Sequence, residues 1–444
     1  MIQDTRLGSV DTSVAAPPKP RRLVLLTAHF PFGFEETFLE SELPILCGGF
    51  EEVDVIPFNE VSYPDASVPR TMPRKARLPA YFVRTLVRQR RRRLTRMVSM
   101  LCRPRIHYLL LREVIAFVRH LKPAERPAGL RAWWLGVCRM VSFLSLSALL
   151  ERLLVRHYRA RFCDTLFYSY WLREPALALA MMRSLYREVR CVARCHGGDL
   201  YAELRQPAYI PFQAPTVAGL SKLVAISEHG LAYASRKYPA QQDRFVLSRL
   251  GTYGYGVGPW TSCREGLRIV SCSRLVPFKR VELIISALVL CRIPVRWIHI
   301  GSGTGESSVK RLADRLPANI RCIFKGQLSQ HDVYCFYRCN EVDLFVNVSE
   351  SEGLPVSIME ALSFGIPAMA TAVGGTPEVV SDENGVLLAA DIRADQLAHE
   401  LEHFFALDVA TVRRKREAAQ KTWSKNMQAE LCYGSFVSLL KNLV

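Results

Sequence analysis

The segment Ser349-Glu-Ser-Glu352-Gly353-Leu354-Pro355-Val-Ser-Ile-Met-Glu360-Ala361-Leu362 sets two glutamates eight positions apart, directly behind the apolar run Leu344 to Val348. Pro355 suits the first position of a helix, which puts Glu352 in the loop before it and Glu360 on its second turn. A helix start offers free N–H groups to an anion, and Gly353 lets the backbone approach a ligand closely. A carboxylate accepts hydrogen bonds from two neighbouring hydroxyls, so one glutamate could hold a sugar and the other a ribose. Taken alone, the same residues also suit an exposed helical glutamate and a charge favoured by the helix dipole.

A second cluster is cationic. The strand pattern Leu267 to Cys272 runs into Ser273-Arg274-Leu-Val-Pro-Phe-Lys279-Arg280, which places two or three cations where open α/β sheets hold their ligands. The planar fork of Arg and the compact charge of Lys suit a diphosphate and can neutralise it as a leaving group without a metal. A solvated basic loop would read the same way. The chain has no Asp-x-Asp triplet and no His/Cys cluster at zinc spacing, so neither a metal nor another cofactor is expected.

These clusters need a scaffold, and the rest of the sequence supplies one. Leu23 to Thr27, a Pro/Gly/Phe loop, a helical pattern through Leu43 and Leu46, and Val53 to Pro57 form the opening of a βαβ unit. Short strands return at Thr165 to Tyr168, Val189 to Cys195 and Lys222 to Ile226. Between them, about 63–158, long helical patterns read as an insertion into a first doubly wound domain, 21–250. Gly251 to Pro259 has the most linker-like composition, so a linker is expected at 251–266. Strand and helix patterns then alternate through a second doubly wound domain, 267–422. Residues 1–20 read as a loose tail without the apolar region of a signal peptide.

Arg274 with Lys279, Gly301-Ser-Gly303 after a strand, Gly326 before a helix, the Glu-x7-Glu pair and Gly374-Gly375-Thr-Pro-Glu378 occur in the order of the retaining family 4 glycosyltransferases, which this chain resembles over roughly residues 22–60 and 165–390. The resemblance implies an α/β chain of the GT-B type, two Rossmann-like domains facing a cleft. It implies that Arg274 and Lys279 hold a donor diphosphate, that Glu352 meets the sugar and Glu360 the ribose, and that the backbone at Gly353, Leu354 and Pro355 lies beside sugar and phosphates. The loop Ala193-Arg194-Cys195-His196-Gly197-Gly198-Asp199 is similar to a His-containing loop that faces the donor sugar in that family. His196 is therefore the candidate active-site histidine, with Asp199 as a nearby acceptor. Pro31-Phe-Gly33-Phe-Glu35-Glu36-Thr37 resembles the loop that reaches donor phosphate and acceptor, although this chain carries only Gly33 where many members have two glycines. Glu35 or Glu36 would meet the acceptor, or cap a solvated helix start. A C-terminal helix, 423–444, is expected to cross back to the first domain.

The resemblance thus predicts transfer of a hexose-type sugar, with retention, from a UDP- or GDP-linked donor to a glycan or lipid-linked glycan. A nucleotide-sugar epimerase of the same fold and a non-catalytic membrane-associated assembly protein are the alternatives. A phosphorylase would need a lysine bound to pyridoxal phosphate, and no sequence feature identifies one.

Of the formal charge of +18, residues 70–131 carry +16, from 18 Lys and Arg against Glu113 and Glu125. Arginines interleaved with an apolar face suit an anionic membrane, so peripheral contact of a cytoplasmic protein with the inner membrane face is expected. Packing of that face on the first domain is the plainer reading. The run lacks a nucleic-acid module, and no nucleic-acid partner is expected. The 13 Cys, odd in number and without a C-x-x-C pair, read as reduced thiols. Trp133 to Leu150, interrupted by Arg139 and three serines, reads as a poor membrane span.

Overall fold

The computed structural model describes residues 20–33, 36–59, 70–91, 103–120, 130–205, 207–262 and 265–443. They form two parallel sheets. The first has the order β3-β2-β1-β4-β5-β6-β7 and the second the order β10-β9-β8-β11-β12-β13. In the first, β1 (Arg22–Thr27) lies between β2 (Glu52–Pro57) and β4 (Thr165–Ser169), while β5 (Arg190–Cys195), β6 (Lys222–Ala225) and β7 (Phe245–Leu247) continue one edge and β3 (Ala76–Arg77) closes the other. The second consists of β8 (Leu267–Cys272), β9 (Val295–Ile300), β10 (Ile320–Phe324), β11 (Leu344–Asn347), β12 (Ala368–Thr371) and β13 (Gly385–Leu388). Leu23 to Leu26 and Leu344 to Val346 are at most 1% exposed, as strands covered on both faces must be. In each sheet the strand order reverses beside one strand, between β1 and β4 and between β8 and β11, which leaves a crevice at their carboxyl ends.

The helical block expected at about 63–158 lies between β2 and β4 and is integrated with the first domain. β3 lies within it and pairs with β2 through Val53 and Ala76. The second half of helix Leu130–Tyr158 is part of the domain core, where Leu146, Leu149, Leu150, Leu153 and Leu154 pack under the sheet. Tyr158 closes that helix by donating to the buried Asp54 carboxylate on β2 at 2.9 Å. The block is therefore the crossover from the sheet edge to β4, and the apolar side of its last helix is committed to the sheet. No helix among the described residues is long and apolar enough to cross a membrane.

The chain passes between the domains twice, and the two passages are bonded to each other. Thr252 N donates to Met427 O at 2.9 Å and Ala429 N to Thr252 O at 3.0 Å. The Trp423 indole donates to Thr252 Oγ1 at 2.8 Å, and a Cβ on Gly254 would stand 2.2 Å from the Trp423 ring. These glycines are required by close packing rather than by a free linker. Helix Val409–Asn426 packs on the second domain, the chain crosses at Met427, and helix Ala429–Lys441 packs on helix Leu39–Gly49 of the first. A buried ion pair braces that contact: Arg194 and Glu42, both fully buried, are 3.3 Å apart, and the Arg194 guanidinium lies 4.4 Å from the Phe436 ring.

Candidate active site

The loops after β5 and β11 meet across the cleft. A Cβ built on Gly353 would stand 3.0 Å from Gly197 N, and one on Gly197 would stand 3.3 Å from Gly353 N. The contact brings His196-Gly197 of the first domain against Glu352-Gly353 of the second, with room for backbone and none for a side chain. The turn at Gly374 supports it from behind. Gly374 has φ 53°, a Cβ there would lie 1.8 Å from Glu352 O, and Gly375 N donates to Gly353 O at 3.1 Å.

On the second domain, helix Val356–Ser363 begins one residue later than Pro355, which is its N-cap. Glu352 therefore sits in the loop, Leu354 is buried in the core with its backbone facing the loop, and Glu360 lies on the second turn. Lys279 Nζ donates to Glu352 Oε1 at 2.6 Å, and Asn347 Nδ2 donates to the same oxygen at 3.1 Å. The candidate diphosphate cation and the candidate sugar carboxylate are thus paired with each other. Arg274 is exposed on a loop fixed by Ser273 N to Ile300 O and Leu275 N to Ser302 O, each at 3.0 Å. Arg280 is occupied elsewhere: its guanidinium donates to Val348 O at 2.6 Å and Ala390 O at 3.0 Å, so it braces the β11 loop and leaves Arg274 and the Glu352-paired Lys279 as the cations of the site.

Glu360 is 8% exposed and accepts from Gln330 Nε2 at 3.0 Å, while Gln330 Oε1 lies 3.4 Å from Ser41 Oγ across the cleft. Burial pushes the Glu360 carboxyl up to about 7, since a charge there is poorly solvated. Such a group gains from ligand hydroxyls that donate to it.

On the first domain, His196 precedes the short helix Gly197–Leu200. Its ring is 8% exposed and caged by Trp171, Tyr170 and Phe38, with centroid distances of 4.3, 5.0 and 6.2 Å. Neither ring nitrogen has a hydrogen-bond partner among the described residues. A buried imidazole without partners is costly unless something else satisfies it.

Asp199 does not offer a free carboxylate. Its two oxygens accept His196 N at 2.6 Å and Leu172 N at 2.8 Å, so it positions the histidine rather than facing a donor sugar. Glu36 is likewise turned inward and does not face an acceptor. Held at φ 58°, it accepts Ala28 N at 2.9 Å, His29 N at 2.6 Å, Phe30 N at 2.7 Å and the Trp171 indole at 2.6 Å, which ties the β1 loop to the wall of the histidine cage. Glu35 lies outside the described residues. Gly33, φ 66°, has its carbonyl held by Arg70, and a Cβ there would meet nothing within 4 Å. Sequence reasoning missed Trp171, Tyr170 and Gln330, which no local spacing connects to the motifs.

Two facing Rossmann-like domains with the site between them define the GT-B fold. Residues 264–422 match the sequence model of the family described as glycosyl transferases group 1. The chain thus has the GT-B fold, and its second domain is similar to that family's sequence model. It is similar to the putative colanic acid biosynthesis glycosyltransferase WcaL of Escherichia coli K12, 26% identical over 43% of this chain and 50% of the relative. It is also similar to the O-antigen biosynthesis glycosyltransferase WbnH of Escherichia coli, 33% identical over 31% of this chain and 37% of the relative. The chain spans half or less of the length of these curated relatives. Among solved structures, Anabaena HepE in complex with UDP and glucose superposes with a TM-score of 0.59 at 16% identity, over 95% of this chain and 99% of that one.

Proposed function

We propose that the protein transfers a hexose-type sugar, with retention, from a nucleoside-diphosphate sugar to a glycan or lipid-linked glycan acceptor in surface-polysaccharide assembly. The observation that carries this reading is the meeting of His196-Gly197 with Glu352-Gly353, beside Lys279 and Glu360. A donor diphosphate lies against Arg274 and Lys279, displacing Lys279 from Glu352 and freeing that carboxylate for sugar hydroxyls. Glu360 accepts the ribose hydroxyls, and His196, whose buried ring nitrogens lack a hydrogen-bond partner among the described residues, hydrogen-bonds the sugar. As the glycosidic bond breaks, charge grows on the diphosphate, where the two cations stabilise it. The departing phosphate then takes the acceptor proton on the same face. WcaL, WbnH and HepE, by their names and bound UDP, are consistent with this donor and acceptor class.

The same reading includes attachment to the inner membrane face. Tyr108, Leu111, Ile115 and Val118 lie three or four residues apart on helix Pro104–His120 and are 40–62% exposed, flanked by exposed Arg105, Arg112 and Arg119. Each cation near an anionic surface is worth about 1 kcal/mol. Flotation with vesicles containing phosphatidylglycerol, lost in Leu111→Asp/Ile115→Asp, supports attachment; equal flotation of both proteins refutes it.

Thermal-shift titration with UDP, GDP, ADP and CMP and their sugar conjugates tests the donor assignment. Saturable stabilisation by one nucleoside diphosphate, lost in Glu360→Ala, is expected. Absence of any response from folded protein would favour the assembly role.

A further inference from the structure

Arg280 is the wrong residue for its place by two local rules. Its backbone is left-handed, φ 48° and ψ 37°, a conformation that a Cβ disfavours and that glycine or asparagine takes at less cost. It is also the N-cap of helix Val281–Leu290, where Ser, Thr, Asp and Asn are preferred because a short side-chain oxygen accepts from the first turn, and it makes no such bond. Among the described residues, Glu36 and Phe212 are the other non-glycine positions with a positive φ. A strained residue persists when its surroundings hold it there, and a choice that breaks local rules points to work done elsewhere.

That work belongs to the side chain. From the left-handed turn the guanidinium reaches three carbonyls: Nε donates to Val348 O at 2.6 Å, and one terminal nitrogen donates to Ser349 O at 3.4 Å and to Ala390 O at 3.0 Å. Val348 and Ser349 directly follow β11 and lead into Glu352, while Ala390 lies in the loop after β13. Arg280 itself directly follows Lys279. The main chain adds a further link between the same two loops, from Glu350 N to Phe278 O at 2.8 Å. At the site the loops are also joined by Lys279 and Glu352, 2.6 Å apart, and in the proposed reaction the donor diphosphate takes Lys279 away. A joint that survives donor binding has to be made by other groups, and the guanidinium of Arg280 supplies one.

We infer that Arg280 is a positioning residue: it keeps the loop of Arg274 and Lys279 in register with the loop of Glu352 after a donor has parted Lys279 from Glu352. The inference rests on the glycosyltransferase reading and adds to it the residue that holds the diphosphate and sugar contacts of one donor at a fixed separation. The left-handed turn is part of the device, since it is the backbone from which those carbonyls are reached.

The test uses the full chain with UDP and UDP-glucose, GDP and GDP-mannose, and ADP and ADP-glucose as probe pairs. Arg280→Asn places there a residue that tolerates the left-handed turn and caps helices but is too short to reach the three carbonyls. Its melting temperature is expected to match or exceed that of the parent protein. By calorimetry its affinity for the nucleoside diphosphate should stay within about twofold of the parent, while affinity for the sugar conjugate falls roughly fivefold and donor turnover about tenfold. Arg280→Met, which keeps the strain and loses the brace, should show the same split. A double-variant cycle with Glu352→Gln separates positioning from a general loss of packing. With glutamine at 352, the effect of Arg280→Asn on sugar-conjugate affinity should shrink to less than about twofold. Multiplied losses in the double variant, equal losses on nucleoside diphosphate and sugar conjugate, or unchanged turnover in either single variant would each overturn the inference. A folded parent protein that binds none of the pairs fails the glycosyltransferase reading itself, before Arg280 is changed, which keeps the two failures apart.

Discussion

Gly197 and Gly353, one from each domain, approach so closely that a methyl group on Gly353 would stand 3.0 Å from the Gly197 amide nitrogen. Closure of the site therefore depends on two absent side chains as much as on the charged residues around them. In the proposed transfer water would compete with the acceptor for an activated donor, so an imperfect fit here would affect the outcome of the reaction as well as its rate.

Gly353→Val should force the two loops apart. Turnover of the nucleotide sugar is expected to fall at least tenfold, about 1.4 kcal/mol of barrier, with little change in melting temperature. Donor hydrolysis without acceptor should rise relative to transfer. Steady-state rates with and without acceptor measure both; unchanged transfer would show that the loops need not touch during catalysis.

The Lys279–Glu352 pair predicts unequal effects from its two halves. Lys279→Met removes a cation from the leaving diphosphate and should lower turnover by roughly 10²–10³, the usual range for one charge-stabilising contact. Glu352→Gln frees Lys279, so nucleoside-diphosphate binding should hold or tighten while binding of the sugar conjugate weakens. Calorimetry on both ligands separates the cases, and equal losses on both would contradict the division of roles.

Glu360 gives a pH signature. Its carboxyl, raised to about 7 by burial, binds its proton more tightly folded than unfolded, where it titrates near the usual glutamate value of about 4.3. The stability it contributes is complete below that lower value and is lost as the pH rises through about 7. Glu360→Gln should therefore flatten the fall in melting temperature between pH 5 and 8. Nucleoside-diphosphate affinity should run the other way, improving through pH 7 as the carboxylate becomes free to accept hydroxyls, and that slope should vanish in Glu360→Gln. Parallel curves for parent and variant would rule out Glu360 as the titrating group.

Arg194→Met would leave Glu42 fully buried without its partner, at a cost of about 3–5 kcal/mol. Burial already raises the Glu42 carboxyl, so the variant should take up a proton on folding. Adding Glu42→Gln should return much of the stability, as urea denaturation of the single and double variants would register. Additive losses would mean that the pair does not brace the last helix.

Much of the second domain was legible because its signals are local. The Glu-x7-Glu spacing, Pro355 and the preceding apolar strand all lie within one strand–loop–helix unit, and the loop carrying Arg274 directly follows β8. In the first domain the decisive contacts are distant in sequence. Glu36 and Asp199 look like exposed acids on loops, yet each is drawn inward by backbone N–H groups that only the folded chain gathers. Trp171 reaches His196 from the loop after β4, 25 positions away, and nothing in its neighbours marks it. The arginine-rich helical block misled for a different reason: its charge is strong enough to hide that its last helix carries the leucines of the sheet core.

The pairing of Thr252 with Met427 and Ala429 has a genetic consequence as well as a mechanical one. The second domain leaves the first and returns to it at one spot, so it is a cassette whose two ends are already held together by main-chain hydrogen bonds. Insertions with adjacent ends disturb a host domain least. On the proposed reading, a donor-side module of another specificity, joined at the same two residues, would leave the histidine cage and helix Pro104–His120 as they are. Donor and acceptor preferences can then change independently, by exchange of one segment.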